Sequence, residues 1–175
     1  MRLHHSEVHL CAGLAWLLTP DGWHGLGSTL LSAFLTQVGV TDVDQRALHS
    51  ATIVTEEYRI DGRVDDVAPY PTRADIVVRV PLAGICVVLE AKVWAAEQPQ
   101  QCQRLAELWE DESPTLVFLT RSGIAPTTAR PDDEWRLLTW QSVSSLLSAA
   151  VGRTNPHPGV RDYLETIEEY GGRPA

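Results

Sequence analysis

The strongest constraint on the fold is a pair of short apolar runs, Ile76 to Val80 and Ile85 to Leu89, divided by Pro81-Leu82-Ala83-Gly84. Both runs are rich in β-branched residues and the four residues between them suit a reversal of the chain, which predicts an antiparallel hairpin. Asp75 begins the first strand, and Glu90 and Lys92 end the second, so the turn carries all three to one end of a sheet. Positions 90 and 92 are two apart and project from one face, setting a carboxylate beside an amine with Asp75 opposite.

Helical patterns surround the hairpin. Ser6 is an expected N-cap for a first helix in which Glu7, Leu10, Cys11, Leu14 and Leu18 recur on one face, ending before Thr19-Pro20-Asp21-Gly22. Ser28 caps a second helix with Leu30, Leu31, Phe34, Leu35 and Val38 on its inner face. Ile53 to Tyr58 has strand character, and Asp61 to Arg73, rich in Asp, Pro, Gly and Arg, reads as a loop. A crossover helix is expected from Pro99 to Ser113-Pro114, then strands at Leu116 to Leu119 and Trp135 to Thr139. Trp140 to Val151, with Val143, Leu146 and Leu147 inward, and Val160 to Tyr170 complete the pattern as helices, followed by a frayed tail. The sum is a single α/β domain over residues 1–175, with 44% apolar residues to form its core.

Composition narrows the function. The formal charge of -9 argues against a broadly basic nucleic-acid coat, though not against a local groove or a metal bridging to phosphate. Cys11, Cys86 and Cys102 form no CxxC pair, so neither a disulfide framework nor a zinc ribbon is indicated, and a reducing cytoplasm is expected. No run is long and apolar enough to span a membrane. Of 14 lysines and arginines, Lys92 is the one lysine. An ammonium on a flexible stem does not interchange with a guanidinium, so chance retention competes with a chemical requirement at that position.

Two converging carboxylates repel each other, and a hard divalent cation stabilises both in ionised form; oxygen ligation favours Mg²⁺ or Mn²⁺. A neighbouring ammonium then orients water or stabilises charge developing on a phosphate. Asp75, fourteen intervening residues and Glu90-Ala91-Lys92 resemble the signature of the PD-(D/E)XK nuclease superfamily. That family frequently carries a glutamate on its first core helix and a Gln-x-x-x-Tyr pattern after the hairpin; Glu7 and Gln101 occupy those places, with Leu105 where the tyrosine would be and Gln98 an alternative one turn earlier. The stretch from Leu14 to Leu31 also looks like a bacterial branch of the superfamily.

The resemblance implies a restriction-endonuclease-like core, with a central mixed β-sheet and an antiparallel hairpin flanked by helices. It implies a metal-dependent endonuclease acting on nucleic acid, with DNA expected, and phage defence or DNA repair as its setting. Asp75, Glu90, the Ala91 carbonyl and Glu7 would serve the metal; Lys92 would position or activate the water, and Gln101 would bind the water network or Lys92. Glu7 equally suits free backbone N–H groups in the first helical turn. A homodimer or partner protein would supply sequence specificity. The rival reading is a catalytically silent module of this fold that binds a partner protein or DNA.

Among other candidates, Asp65 and Asp66 run into Val-Ala-Pro-Tyr-Pro, which cannot pair as a central strand. Arg63 and Arg73 are phosphate contacts or solvated loop residues, and Glu56 or Glu57 an extra ligand, a support for Lys92 or surface. His24 in its glycine loop is a weak substrate contact, and Trp94 and Trp109 read as core or interface residues rather than base-stacking platforms.

Overall fold

The computed structural model describes residues 7–60, 71–152 and 154–171. Its centre is a five-stranded mixed sheet in the order β1 (Thr52–Ile60), β2 (Pro71–Val80), β3 (Ile85–Ala91), β4 (Thr115–Thr120) and β5 (Trp135–Thr139). β2 runs antiparallel to both β1 and β3, whereas β3, β4 and β5 are parallel. The helices are α1 (Glu7–Leu18), α2 (Thr29–Gln37), α3 (Gln45–Leu48), α4 (Gln101–Leu108), α5 (Trp140–Val151) and α6 (Pro158–Gly171). This is the α/β arrangement that the sequence pattern predicts, and it is consistent with the restriction-endonuclease-like core that the resemblance implies.

Side-chain alternation divides the core in two. Ile76, Val78, Val87 and Leu89 join α1, α2, α5 and α6 in the larger cluster, while Val77 and Val88 face Leu105, Ala106 and Trp109 on the α4 side. Strands covered on both faces read as unbroken apolar runs, which is why the hairpin stands out in the sequence. Its turn is a short 3₁₀ segment, Pro81–Ala83, closed by Gly84 at φ 62°, a conformation that suits a residue without Cβ.

Several boundaries move. Residues 71–73, expected in a loop, are the start of β2: Ile60 pairs with Pro71 and Arg59 with Thr72, and a proline is tolerated at the first position of a strand. α4 starts at Gln101 rather than Pro99 because Gln100 takes a left-handed φ of 57°. Leu146 is half-buried, and Ser144 takes the inward place, donating from Oγ to the Leu164 carbonyl at 3.5 Å. Ser28 occupies the N-cap position of α2 without capping it, its hydroxyl bonding Gln45 Oε1 instead. Ser6, Asp61, Arg63, Asp65 and Asp66 lie outside the described residues.

Candidate active site

Asp75 and Glu90 continue the alternation of Val77 and Val88, so both carboxylates belong to the face under α4. The hairpin register joins them through backbone: Ala91 N–H donates to Asp75 Oδ2 at 2.9 Å. Glu90 is almost fully buried, and its Oε1 receives two donors, Lys92 Nζ and Gln101 Nε2, the latter at 2.7 Å. Gln101 is itself held in place, because its Oε1 accepts from Gln98 N–H at 3.0 Å. Two residues, Lys92 just after β3 and Gln101 in the first turn of α4, therefore converge on one oxygen of Glu90.

The second oxygen of Glu90 is buried without a hydrogen-bond partner among the described residues. A buried carboxylate oxygen without a partner carries a desolvation cost that a bound cation would remove. Burial, and then the nearby Asp75 charge, push the Glu90 carboxyl above its usual range; burial likewise raises Asp75. Burial opposes the Lys92 ammonium, but the attraction of Glu90 and Asp75 outweighs it and raises the group. The candidate ligands, the carboxylate oxygens of Asp75 and Glu90, fit a hard cation such as Mg²⁺, which is held by one or two carboxylates and completes its shell with water or phosphate oxygen. Among the described residues, no group of three or more His, Cys, Asp or Glu side chains is gathered around one point.

Glu7 lies close by but faces backbone. Its Oε1 accepts from Val93 N–H at 2.7 Å and from Trp94 and Ala95 N–H at 3.2 Å each. The free N–H groups it satisfies belong to the segment after β3 rather than to its own helix, a partner 86 residues away. The Glu7 charge adds to the field that raises Asp75 and Glu90.

The remaining candidates separate clearly. Arg73, at the start of β2, pairs with Glu56 and reaches Asp75 at 3.6 Å, so it bridges a half-buried and a buried carboxylate. Glu56 holds a left-handed φ of 54° where β1 runs beside Asp75. Glu57 points elsewhere, into a two-pronged bond with Arg79 and a contact to Trp109 Nε1. His24 is structural: its Nδ1 accepts from Leu26 N–H and its Nε2 donates to the Thr19 carbonyl. Trp109 is core, whereas Trp94, expected in a core or interface, is 54% exposed at the rim of the site.

A family model for the PD-(D/E)XK nuclease superfamily matches residues 2–165. No curated protein and no solved structure gives a significant match.

Proposed function

Because this chain belongs to the PD-(D/E)XK nuclease superfamily, we propose that it is a metal-dependent endonuclease hydrolysing phosphodiester bonds, with DNA as the substrate. The observation that carries this reading is the buried Glu90 carboxylate, whose one oxygen gathers Lys92 and Gln101 while the other has no partner among the described residues. Asp75, Glu90 and the Ala91 carbonyl would hold Mg²⁺, with Mn²⁺ as a substitute and Glu7 acting from the edge through solvent. Such an ion supplies charge neutralisation at the phosphate and acidifies the attacking water.

The chain's own groups do the rest. Gln101 fixes the rotamer of Glu90, and the backbone of Gln98 fixes Gln101. Lys92 holds its ammonium beside the carboxylates, where it orients a water for attack on phosphorus and stabilises the negative charge that grows as the new P–O bond forms and the old one breaks. An arginine would present a planar fork there instead of a point charge. Trp140 Nε1 donates to the Lys92 carbonyl at 3.4 Å, which ties the lysine backbone to α5.

The test is incubation of the protein with supercoiled plasmid, linear duplex, single-stranded DNA and RNA in Mg²⁺, Mn²⁺ or EDTA, beside Lys92→Ala. Metal-dependent cutting that falls by at least about a hundredfold in the variant supports the proposal. Equal cutting by both proteins refutes the role of Lys92, and an absence of both cutting and metal binding favours the silent binding module.

A further inference from the structure

A cavity of about 780 Å³ opens directly beside Lys92, and nothing in the proposed hydrolysis uses it. Its walls come from the segment after β3, including Lys92, Trp94 and Glu97, and from the segment after β4, including Arg121 and Ile124. β3 and β4 are parallel neighbours in register, Ala91 against Leu119, so their exits lie side by side and bring Trp94 to Arg121. The Arg121 guanidinium carbon sits 4.1 Å from the centre of the Trp94 ring. With that contact made, Trp94 is still 54% exposed and Ile124 is 66% exposed.

The cavity is built rather than left over. Glu7 secures one end of the Trp94 segment through three backbone amides. Glu97 secures the other, its two oxygens accepting from the N–H and hydroxyl groups of Thr127 and Thr128 at 2.6 to 3.0 Å. Against burial, which alone would raise the Glu97 carboxyl, those bonds hold it below its usual range and turn its charge onto the opposite loop. An exposed indole on a doubly anchored segment loses little freedom when a ligand stacks on it.

We propose that this cavity is a stacking subsite for one unpaired nucleobase of the strand whose phosphate lies at Lys92, and that the protein therefore prefers single-stranded or locally opened nucleic acid. The inference rests on the nuclease reading for the position of that phosphate. A base in a duplex has both faces covered by its neighbours; an unpaired base offers a face to indole and guanidinium together. The volume lies within the range of small-ligand sites. Charge points the same way. The chain is acidic, and Arg59, Arg73, Arg79 and Arg130 are each paired with carboxylates, which limits the phosphate neutralisation these four can supply and gives stacking a larger share of the affinity. A second cavity of about 430 Å³ has Tyr58, Arg73, Gln101 and Arg104 in its lining, and its Gln101 shares the Glu90 Oε1 acceptor with Lys92 of the first.

The experiment measures binding of end-labelled 12-nucleotide DNA, RNA of the same sequence and the matching DNA duplex by fluorescence anisotropy in EDTA, with wild type, Trp94→Ala and Trp94→Phe. Cleavage in Mg²⁺ is followed separately. Single strands should bind more tightly than duplex, with a log-log salt slope no steeper than about -2. Trp94→Ala should lose about tenfold in single-strand affinity while its melting temperature holds, and Trp94→Phe should keep most of it. DNA and RNA arms assign the sugar. Unchanged single-strand affinity in Trp94→Ala, equal binding of duplex, or no binding at all overturns the subsite. Cleavage without any Trp94 dependence of binding overturns it and leaves the nuclease standing, whereas Trp94-dependent binding without cleavage on any substrate keeps the subsite and removes the nuclease.

Discussion

Replacing Glu7 separates an anchoring carboxylate from a metal ligand. In Glu7→Ala the Val93 amide, buried and bonded at 2.7 Å, loses its acceptor at a cost of about 2 kcal/mol. The Trp94 and Ala95 amides belong to exposed residues, so water replaces the carboxylate and each loss is roughly 0.5 kcal/mol. Against this, Glu7 contributes to the repulsion that raises Asp75 and Glu90, and its removal returns about 1 kcal/mol. The net loss is about 2 kcal/mol, which for a chain of this size lowers the melting temperature by about 4–8 °C.

Glu7→Gln keeps an acceptor oxygen for the amides and removes the charge. Weaker bonds and weaker repulsion offset each other, so its melting temperature in EDTA should stay within about 2 °C of wild type. Differential scanning fluorimetry in EDTA reads both variants, and a Mg²⁺ titration of the same samples reads the metal: Glu7→Gln should show a smaller metal-induced rise, not its loss. Equal destabilisation by Gln and Ala, or none by Ala, would refute the anchoring argument.

Three further outcomes follow from the same structure. Mg²⁺ at about a hundred times its dissociation constant should stabilise the protein by about 2.7 kcal/mol, about 5–11 °C, and Asp75→Asn should abolish that rise in the same fluorimetric titration. Glu57 and Glu112 are both held below the usual carboxylate range, chiefly by hydrogen bonds from Arg79. Their folded-state values lie below the unfolded one, so the stability they contribute is present above the unfolded value of about 4.3 and is lost as pH falls through the folded values; melting curves from about pH 6 to 3 should therefore fall less steeply for Glu57→Gln than for wild type. Trp109→Ala removes a fully buried ring that also carries the Arg59 guanidinium 4.7 Å from its centre, and should cost about 3–5 kcal/mol in urea unfolding.

What the sequence conveyed about the fold follows from how local each cause is. The hairpin was legible because strands covered on both faces must be apolar throughout, and its register then carries Asp75 to Ala91 without further information. The start of β2 was not legible: Pro71, Thr72 and Arg73 have loop composition, and only pairing with β1 makes them strand. The later start of α4 lies in the left-handed Gln100, a conformation that a glutamine does not advertise. At the site, Gln101 came from the resemblance to the family's Gln-x-x-x-Tyr pattern, with Gln98 as the alternative, whereas the grouping of Asp75, Glu90 and Lys92 was legible from strand parity. The amide partners of Glu7 were not, because no pattern links a first-helix carboxylate to backbone 86 residues on. The exposure of Trp94 was equally hidden, since an indole has the same sequence signal whether it ends under a helix or at a rim.

The carboxylates and the Trp94 segment trace to one topological step. β3 is antiparallel to β2 but parallel to β4, so the chain leaving Ala91 cannot turn back tightly and must cross over through α4 before β4 begins. Along that crossover the amides of Val93, Trp94 and Ala95 have left the sheet ladder, and backbone donors without partners demand an acceptor. A single carboxylate from α1 meets all three, which draws a further negative charge toward Asp75 and Glu90. The parallel exits of β3 and β4 then set Lys92 and Trp94 beside Arg121. The proposed cation site at the carboxylates and the proposed stacking subsite beside it thus arise from the same strand end, where parallel pairing begins.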